Sequence, residues 1–336
     1  MPSPSRSEVP PVAVDLLTGL LRSGDAAAAQ QFVDSQLRAG MGRVEVIEGL
    51  LGPAIARIGQ LWQEGGVSVA VEHRATNIVE ALLRFTLQGV PAAVRGHRVL
   101  LTGVEGEWHV MPARLVAGVW NCLGWDVVAL TPSLPAEDLR ALAKAEHTRI
   151  AGVSCSLVSN LVPAWQVITV LRSCGYRVVV GGRAFDVVSG VAQALGADAH
   201  ERDPVRASDV LADWVGAARL PSRPAVRAQA WAQIEPVWFH LPSLVEQAAV
   251  VAAELAAVSM SADTLRQDLS LIARTSCAAA LTGQAELLGQ HMSWYRALLE
   301  ASGIDPATGH ALIWSLERVL PAGESIRAVL SAVGQE

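Results

Sequence analysis

Between Val12 and Leu87 the apolar residues recur at i, i+3, i+4 and i+7, the spacing of one buried helix face. Four stretches carry it: "VAVDLLTGLLRSGD", "AAAAQQFVDSQLRAG", "VEVIEGLLGPAIARIGQLWQEG" and "VSVAVEHRATNIVEALLRFTL". Gly40 and the Gly65-Gly66 pair punctuate them, and Pro53 falls inside the third, where its missing N–H predicts a bend. Short connections between such helices predict an antiparallel four-helix bundle over residues 12–92. After "QGVPAAVRGH" the period changes. Short β-branched runs ("RVLLTG", "DVVAL", "RIAGVSCS", "YRVVVGG" and a weaker "ADAHE") now alternate with helical stretches such as "MPARLVAGVWNCLG", "VPAWQVITVLRSCG" and "AFDVVSGVAQALG". This alternation predicts a parallel sheet wrapped by helices over residues 96–219. "PSRPAVRAQ" at 221–229 reads as a linker, and residues 225–336 are helical throughout. The fold class is thus multidomain, α followed by α/β followed by α.

Composition changes this picture little. The 336 residues are 51% hydrophobic and 17% charged, enough for two or three packed cores. A formal charge of -6 argues against a nucleic-acid surface, which carries a basic stripe. The four cysteines, Cys122, Cys155, Cys174 and Cys277, show no C-x-x-C spacing, so neither a zinc site nor a disulfide framework is expected. The Pro/Ser-rich start, residues 1–11, reads as a loose tail without the apolar core of a signal peptide, and no apolar run reaches a membrane span of roughly 20 residues. The expectation is a cytoplasmic protein with no membrane partner. Ten Trp against two Tyr and four Phe is an unusual balance; clustered Trp often walls a flat ligand.

Candidate chemistry begins at "GVEGEWHVMPARL", where Glu107 and His109 lie on the loop leaving the first strand. In an open α/β sheet that loop is where ligands bind. His109 is either an ordinary polar loop residue or a metal ligand whose far ring nitrogen Glu107 orients. Ser154 and Ser156 end the third strand and Gly181-Gly182 the fourth, so small residues collect at neighbouring strand ends. This pattern resembles the cobalamin-binding family, with its D/E-x-H-x-x-G, S-x-L and G-G motifs on a Rossmann-like domain. The resemblance implies that His109 is the lower axial ligand to cobalt. It also implies that Glu107 accepts the other ring N–H and that Ser154, Gly181 and Gly182 line a pocket for the displaced nucleotide tail. Pro112 stands where the family has Gly, and Ser156 where it has Leu.

Upstream, Trp62 is followed by Glu72-His73 in "WQEGGVSVAVEH". Taken alone, Trp62 reads as a core residue and Glu72 as a solvated one. Beside the downstream motif, the spacing resembles the helical cap of light-sensing cobalamin proteins of the CarH type. That resemblance implies Trp62 against the adenine of adenosylcobalamin and Glu72 on its ribose, with Val69 and His73 completing the wall. Those receptors carry His directly after the Trp; Gln63 here implies a different light-state adduct. The chain shows no DNA-reading helical module ahead of the bundle, so a repressor is not expected.

In the C-terminal third, His291, Trp294, Tyr295 and Leu298 fall at one helical spacing, His310 pairs with Trp314, and Trp231, Trp238, Phe239 and His240 cluster near the linker. Arg274 shares a face with Cys277. Two readings stand: a helical dimerisation domain, or a second flat chromophore site walled by Trp and Tyr with His or Arg for its acidic groups. The domain order resembles the photocobilins, photoreceptors that pair cobalamin with biliverdin in a globin-like domain. Haem is the rival tetrapyrrole, with His291 or His310 as proximal ligand. Attachment is expected to be non-covalent, since Cys277 is the only cysteine of that segment and reads as plain packing. The expected function is a non-enzymatic photoreceptor holding adenosylcobalamin and biliverdin, forming a homo-oligomer whose assembly depends on light and signalling to an unknown partner. A corrinoid carrier for methyl transfer is the alternative.

Overall fold

The structure is a computed structural model that describes residues 9–91, 96–215, 225–255, 260–321 and 325–334. Residues 1–8 of the expected tail and 221–224 of the expected linker lie outside the described residues, as do 216–219 at the end of the α/β segment. The helical start comprises α1 (Pro11–Ser23), α2 (Ala26–Arg38), α3 (Arg43–Glu45), α4 (Gly52–Gln63) and α5 (Val69–Thr86). Gly24, left-handed at φ 80, ends α1, and the Asp25 carboxylate then caps α2 by accepting from the Ala28 N–H at 2.9 Å. Leu17, Leu21, Val33, Ile58 and Val79 are fully buried, which is the face the sequence period marked.

The third predicted helix is not one regular rod. A π-helical turn, Val46–Leu51, joins α3 to α4, and the Gly52 N–H reaches back to the Ile47 carbonyl. Pro53 is the physical cause: it lacks an N–H, and its ring crowds the carbonyl four residues earlier, so a wider turn upstream relieves both.

Five strands form one sheet in the order β2-β1-β3-β4-β5: β1 (Arg98–Thr102), β2 (Asp126–Leu130), β3 (Ile150–Ser154), β4 (Arg177–Gly181) and β5 (Ala199–His200). β3 and β4 run parallel with Ser154 opposite Gly181, and β4 and β5 run parallel with Val180 opposite His200. All five residues of β3 are buried, as a strand covered on both faces requires. The intervening helices are α6 (Val110–Cys122), α7 (Ala136–Ala145), α8 (Leu161–Ser173), α9 (Val191–Ala194) and α10 (Pro204–Trp214). The stretch "AFDVVSGVAQALG" departs from its helical reading: only a 3-10 turn at Arg183–Phe185 and the four-residue α9 form there. Gly182 at φ 101 and Gly190 at φ 84 place left-handed breaks on both sides of Val187 and Val188, which a continuing helix cannot accommodate.

By contacts the chain divides into two compact units. The first contains residues 1–101, 109–131 and 204–215. In it α6 lies against α3, α5 and the π turn; Gly118 sits so close that a Cβ there would stand 2.8 Å from Leu83 and 3.3 Å from Ile47. Arg114 pairs with Glu80 at 2.6 Å across the same contact. Trp120 and Trp125, both almost fully buried, anchor α10 by donating to the Pro204 carbonyl and the Ser208 hydroxyl, each at 2.8 Å.

The second unit contains residues 102–108, 132–203 and 216–336. Its helical part is α11 (Ala228–Ala253), α12 (Ala262–Thr282), α13 (Glu286–Ala301), α14 (Ala307–Val319) and α15 (Ser325–Val333). α12 packs on α11, α13 and α15, and also on α8 and the 3-10 turn Val158–Asn160 that precedes it. Trp165 of α8 donates to the Val226 carbonyl at 2.7 Å, and its ring lies 5.0 Å from that of Trp231. No helix among the described residues is long and apolar enough to cross a membrane.

Candidate functional site

In the first unit, Trp62 closes α4 while Val69, Glu72 and His73 open α5. Ser68 caps α5 by accepting from the Val71 N–H at 3.4 Å, which sets Glu72 in the first turn, where a carboxylate is favoured by the helix dipole. The Glu72 carboxylate accepts from the Thr76 hydroxyl at 3.0 Å and stands 3.6 Å from the His73 ring. Trp62 is 44% exposed and Val69 is 52% exposed, so neither belongs to the bundle core. The solitary reading of Trp62 as a core residue therefore fails. His109 is the residue before α6, with φ -80 and ψ 70, and its side chain makes no capping bond to that helix.

In the second unit, Glu107 is a buried carboxylate, 8% exposed, whose Oε2 is held by three donors. These are the Ser156 N–H at 2.8 Å, the Leu157 N–H at 3.3 Å and the Asn160 amide at 3.4 Å. A carboxylate out of water needs such donors to keep its charge. One oxygen of Glu107 thus fastens the loop after β3. Gly106, at φ 79, makes the turn that delivers it. The adjoining Trp108 is 89% exposed.

The small residues at the strand ends have a backbone reason of their own. A Cβ on Gly182 would come within 2.3 Å of the Cys155 carbonyl oxygen, and one on Gly181 within 2.8 Å of the Glu201 carbonyl oxygen. The Cys155 N–H donates to the Gly181 carbonyl at 3.1 Å, so the two loops are knit together here. Ser154 is buried and Ser156 half-buried beside them. Burial pushes the Cys155 thiol well up, with the Glu107 charge adding to the effect, so it stays a packed thiol.

The C-terminal candidates separate into groups. Trp238 carries the Arg274 guanidinium 5.0 Å above its ring. His240, exposed, turns its Nδ1 back to the Pro236 carbonyl at 2.7 Å. His291 and Trp294 have rings 5.7 Å apart, and burial pulls the His291 imidazole down to about 4. Tyr295 points inward instead: it is 3% exposed, and its hydroxyl donates to Asp268 of α12 at 2.6 Å. Helical spacing alone grouped Tyr295 with Trp294, yet one faces the core and the other water. His310 is exposed, and Trp314, 43% exposed, lies 5.0 Å from the Arg318 guanidinium. Cys277 is fully buried, with its thiol pushed up to about 12.

Two residues escaped the sequence reading. The first is Asn160, whose amide donates to Glu107 and accepts from Arg274. Nothing local marks a pair 114 positions apart. The second is Thr76, four residues after Glu72, which was visible in principle as an i, i+4 partner.

These features define a helical module followed by an α/β module with a carboxylate-anchored loop before a histidine. A family model described as the B12 binding domain matches residues 14–85, which span α1 to α5. The chain is similar to the HTH-type transcriptional repressor CarH of Myxococcus xanthus, 30% identical over 144 residues and 42% of this chain. It spans about half, 48%, of that relative's length. It is also similar to Trimethylamine corrinoid protein 1 of Methanosarcina acetivorans, 24% identical over 204 residues, 58% of this chain and 92% of that protein. Among solved structures, the Methanosarcina barkeri monomethylamine corrinoid protein shares the fold with a TM-score of 0.51 at 16% identity, covering 60% of this chain and 98% of that one. Together the matches support a cobalamin-type cofactor.

Proposed function

We propose that this chain is a light sensor holding adenosylcobalamin, with His109 as the lower axial ligand to cobalt and Trp62, Val69, Glu72 and His73 around the upper ligand. The observation that carries this reading is the surface of α4 and α5. Trp62 and Val69 stand open within eight residues of chain, beside a Glu72 carboxylate oriented by Thr76. A ring and a branched side chain left in water forgo burial that a flat ligand restores, and an aimed carboxylate suits a ribose hydroxyl. The donor chemistry fits a corrin. A macrocycle that carries its own nitrogen donors would ask one imidazole of the chain, and His109 would supply it.

When bound, adenosylcobalamin supplies a cobalt–carbon bond that visible light cleaves. The chain's part is to hold and to register. Glu107 fastens the loop before His109, while Trp62 and Glu72 respond to whether a nucleoside lies against them. Gln63, where CarH-type receptors carry His, supplies no imidazole to the upper face. We further propose a bilin among α11 to α15, with haem as its rival.

A corrinoid carrier for methyl transfer is the second reading, favoured by the likeness to a trimethylamine corrinoid protein over 92% of that protein's length. Reconstitution separates the two. A sensor prefers adenosylcobalamin to methylcobalamin, and Trp62→Ala should weaken the adenosyl form by about fivefold or more, since ring stacking is worth about 1–3 kcal/mol. His109→Ala should abolish the spectrum of histidine-ligated cobalamin and weaken binding; an unchanged spectrum and affinity removes His109 from the site. Equal affinity for both cobalamins, unaffected by Trp62→Ala, would favour the carrier.

A further inference from the structure

We infer that Arg274 of α12 is a positioning residue for the loop that precedes His109, and that through it the C-terminal helices register the state of that loop. The sensing half of this inference rests on the corrinoid reading above; the positioning half stands on contacts within the second unit alone.

Residues 102–108 group by their contacts with that unit, whereas residues 109–131 group with the other. What fastens the loop is a short relay. The Glu107 carboxylate accepts from the Asn160 amide nitrogen at 3.4 Å, and the same nitrogen donates to the Gly106 carbonyl at 3.4 Å. The Asn160 amide oxygen accepts from Arg274 Nη2 at 3.0 Å. Asn160 is 3% exposed, so its amide has one tenable orientation. Turned over, it would set oxygen against carboxylate and NH2 against guanidinium.

Arg274 is held in turn from three sides. Its Nε donates to the Ser159 carbonyl at 3.2 Å, its Nη2 to Asn160, and its guanidinium lies 5.0 Å from the Trp238 ring of α11. A Cβ on Gly106 would stand 3.4 Å from Nη2, so the guanidinium also abuts the backbone of the loop itself. A planar fork with several fixed donors fits this cleft, and a lysine ammonium reproduces its charge but neither the fork nor the stacking. Trp238, Arg274, Asn160 and Glu107 therefore form one chain of contacts from α11 and α12 to a point two residues before His109. A shift at the loop must disturb Arg274, because the partners it would leave are buried.

Amide hydrogen exchange on the full chain, without and with hydroxocobalamin, tests both halves. Without cobalamin, Arg274→Met should speed exchange across 98–110 by about tenfold or more, leaving peptides of α13 and α14 unchanged. Arg274→Lys should fall between Met and wild type. No change across 98–110, or an equal rise throughout α11 to α15, overturns the positioning role. With cobalamin, exchange in the wild type should slow across both 98–110 and 270–278. In Arg274→Met it should slow only across 98–110. A variant in which both segments still respond overturns the sensing role. A wild type in which neither responds overturns the corrinoid reading and the sensing role with it, while the cobalamin-free comparison still decides the tether.

Discussion

At His291 burial acts on a single proton. The imidazole, normally near 6.5, is pulled down to about 4 because the charged ring is poorly hydrated beside Trp294. Between those values the unfolded chain binds a proton that the folded chain refuses, so stability is fully present above about pH 6.5 and is lost as pH falls toward 4. His291→Gln should flatten this part of the stability profile, a difference of about 1–3 kcal/mol near pH 4. Denaturant titrations at several pH values check it. Asp268 moves the other way: burial raises its carboxyl although the Tyr295 hydroxyl opposes the shift. Its contribution to stability is present below the ordinary carboxylate value and fades as pH rises through the raised one. The two groups therefore tilt the acid limb in opposite senses, and the flattening is to be measured with Asp268 left intact.

Among the helices, α6 makes an exacting fit. Glycine in a helix interior costs about 0.5–1 kcal/mol relative to alanine. Gly118 is nonetheless there because Leu83 and Ile47 occupy the space a side chain would fill. Alanine asks that the tips of Leu83 and, slightly, Ile47 give way. Leucine must part α6 from α5 and the π turn, and Gly118→Leu should cost about 1–3 kcal/mol, the usual penalty of overpacking. Thermal unfolding of the two variants checks this; equal midpoints would mean that the contact is looser than it stands here. The π turn and the broken "AFDVVSGVAQALG" stretch show the same thing in the backbone: one proline and two left-handed glycines outweigh several residues of helical periodicity.

For the whole molecule, the proposed sensor predicts a change of assembly with light. The adenosylcobalamin complex should change its mass in light scattering on illumination, and the same mass in dark and light would end that part of the proposal. The bilin proposal is narrower than spacing alone suggests. Trp238 is occupied by Arg274, and the Tyr295 hydroxyl by Asp268, so among these helices the open aromatic side chains include Phe239, Trp294 and Trp314, 66%, 45% and 43% exposed. Biliverdin added to the full chain should give a sharpened far-red band that Trp294→Ala diminishes. An intense near-ultraviolet band with haem would identify the rival pigment, and no response to either would leave the helical dimerisation reading.

Hydropathy period alone determined the order of elements: helices through Leu87, alternating strands and helices from Arg98, helices again beyond Ala228. Periodicity is a local property, since every turn or pleat must choose which face to bury. Spacing likewise put Glu107 and His109 after the first strand and the glycine pair at the end of the fourth. Where each side chain spends its bonds lay beyond its reach. Sequence grouped Tyr295 with Trp294, read the glycine pair as room for a ligand, and offered Arg274 to a pigment. The tertiary structure turned Tyr295 to Asp268, gave Gly182 the Cys155 backbone as a neighbour, and bound Arg274 to Asn160. Those partners lie 27, 27 and 114 positions away, and a hydrogen bond or a steric limit between distant residues leaves no periodic trace in either stretch.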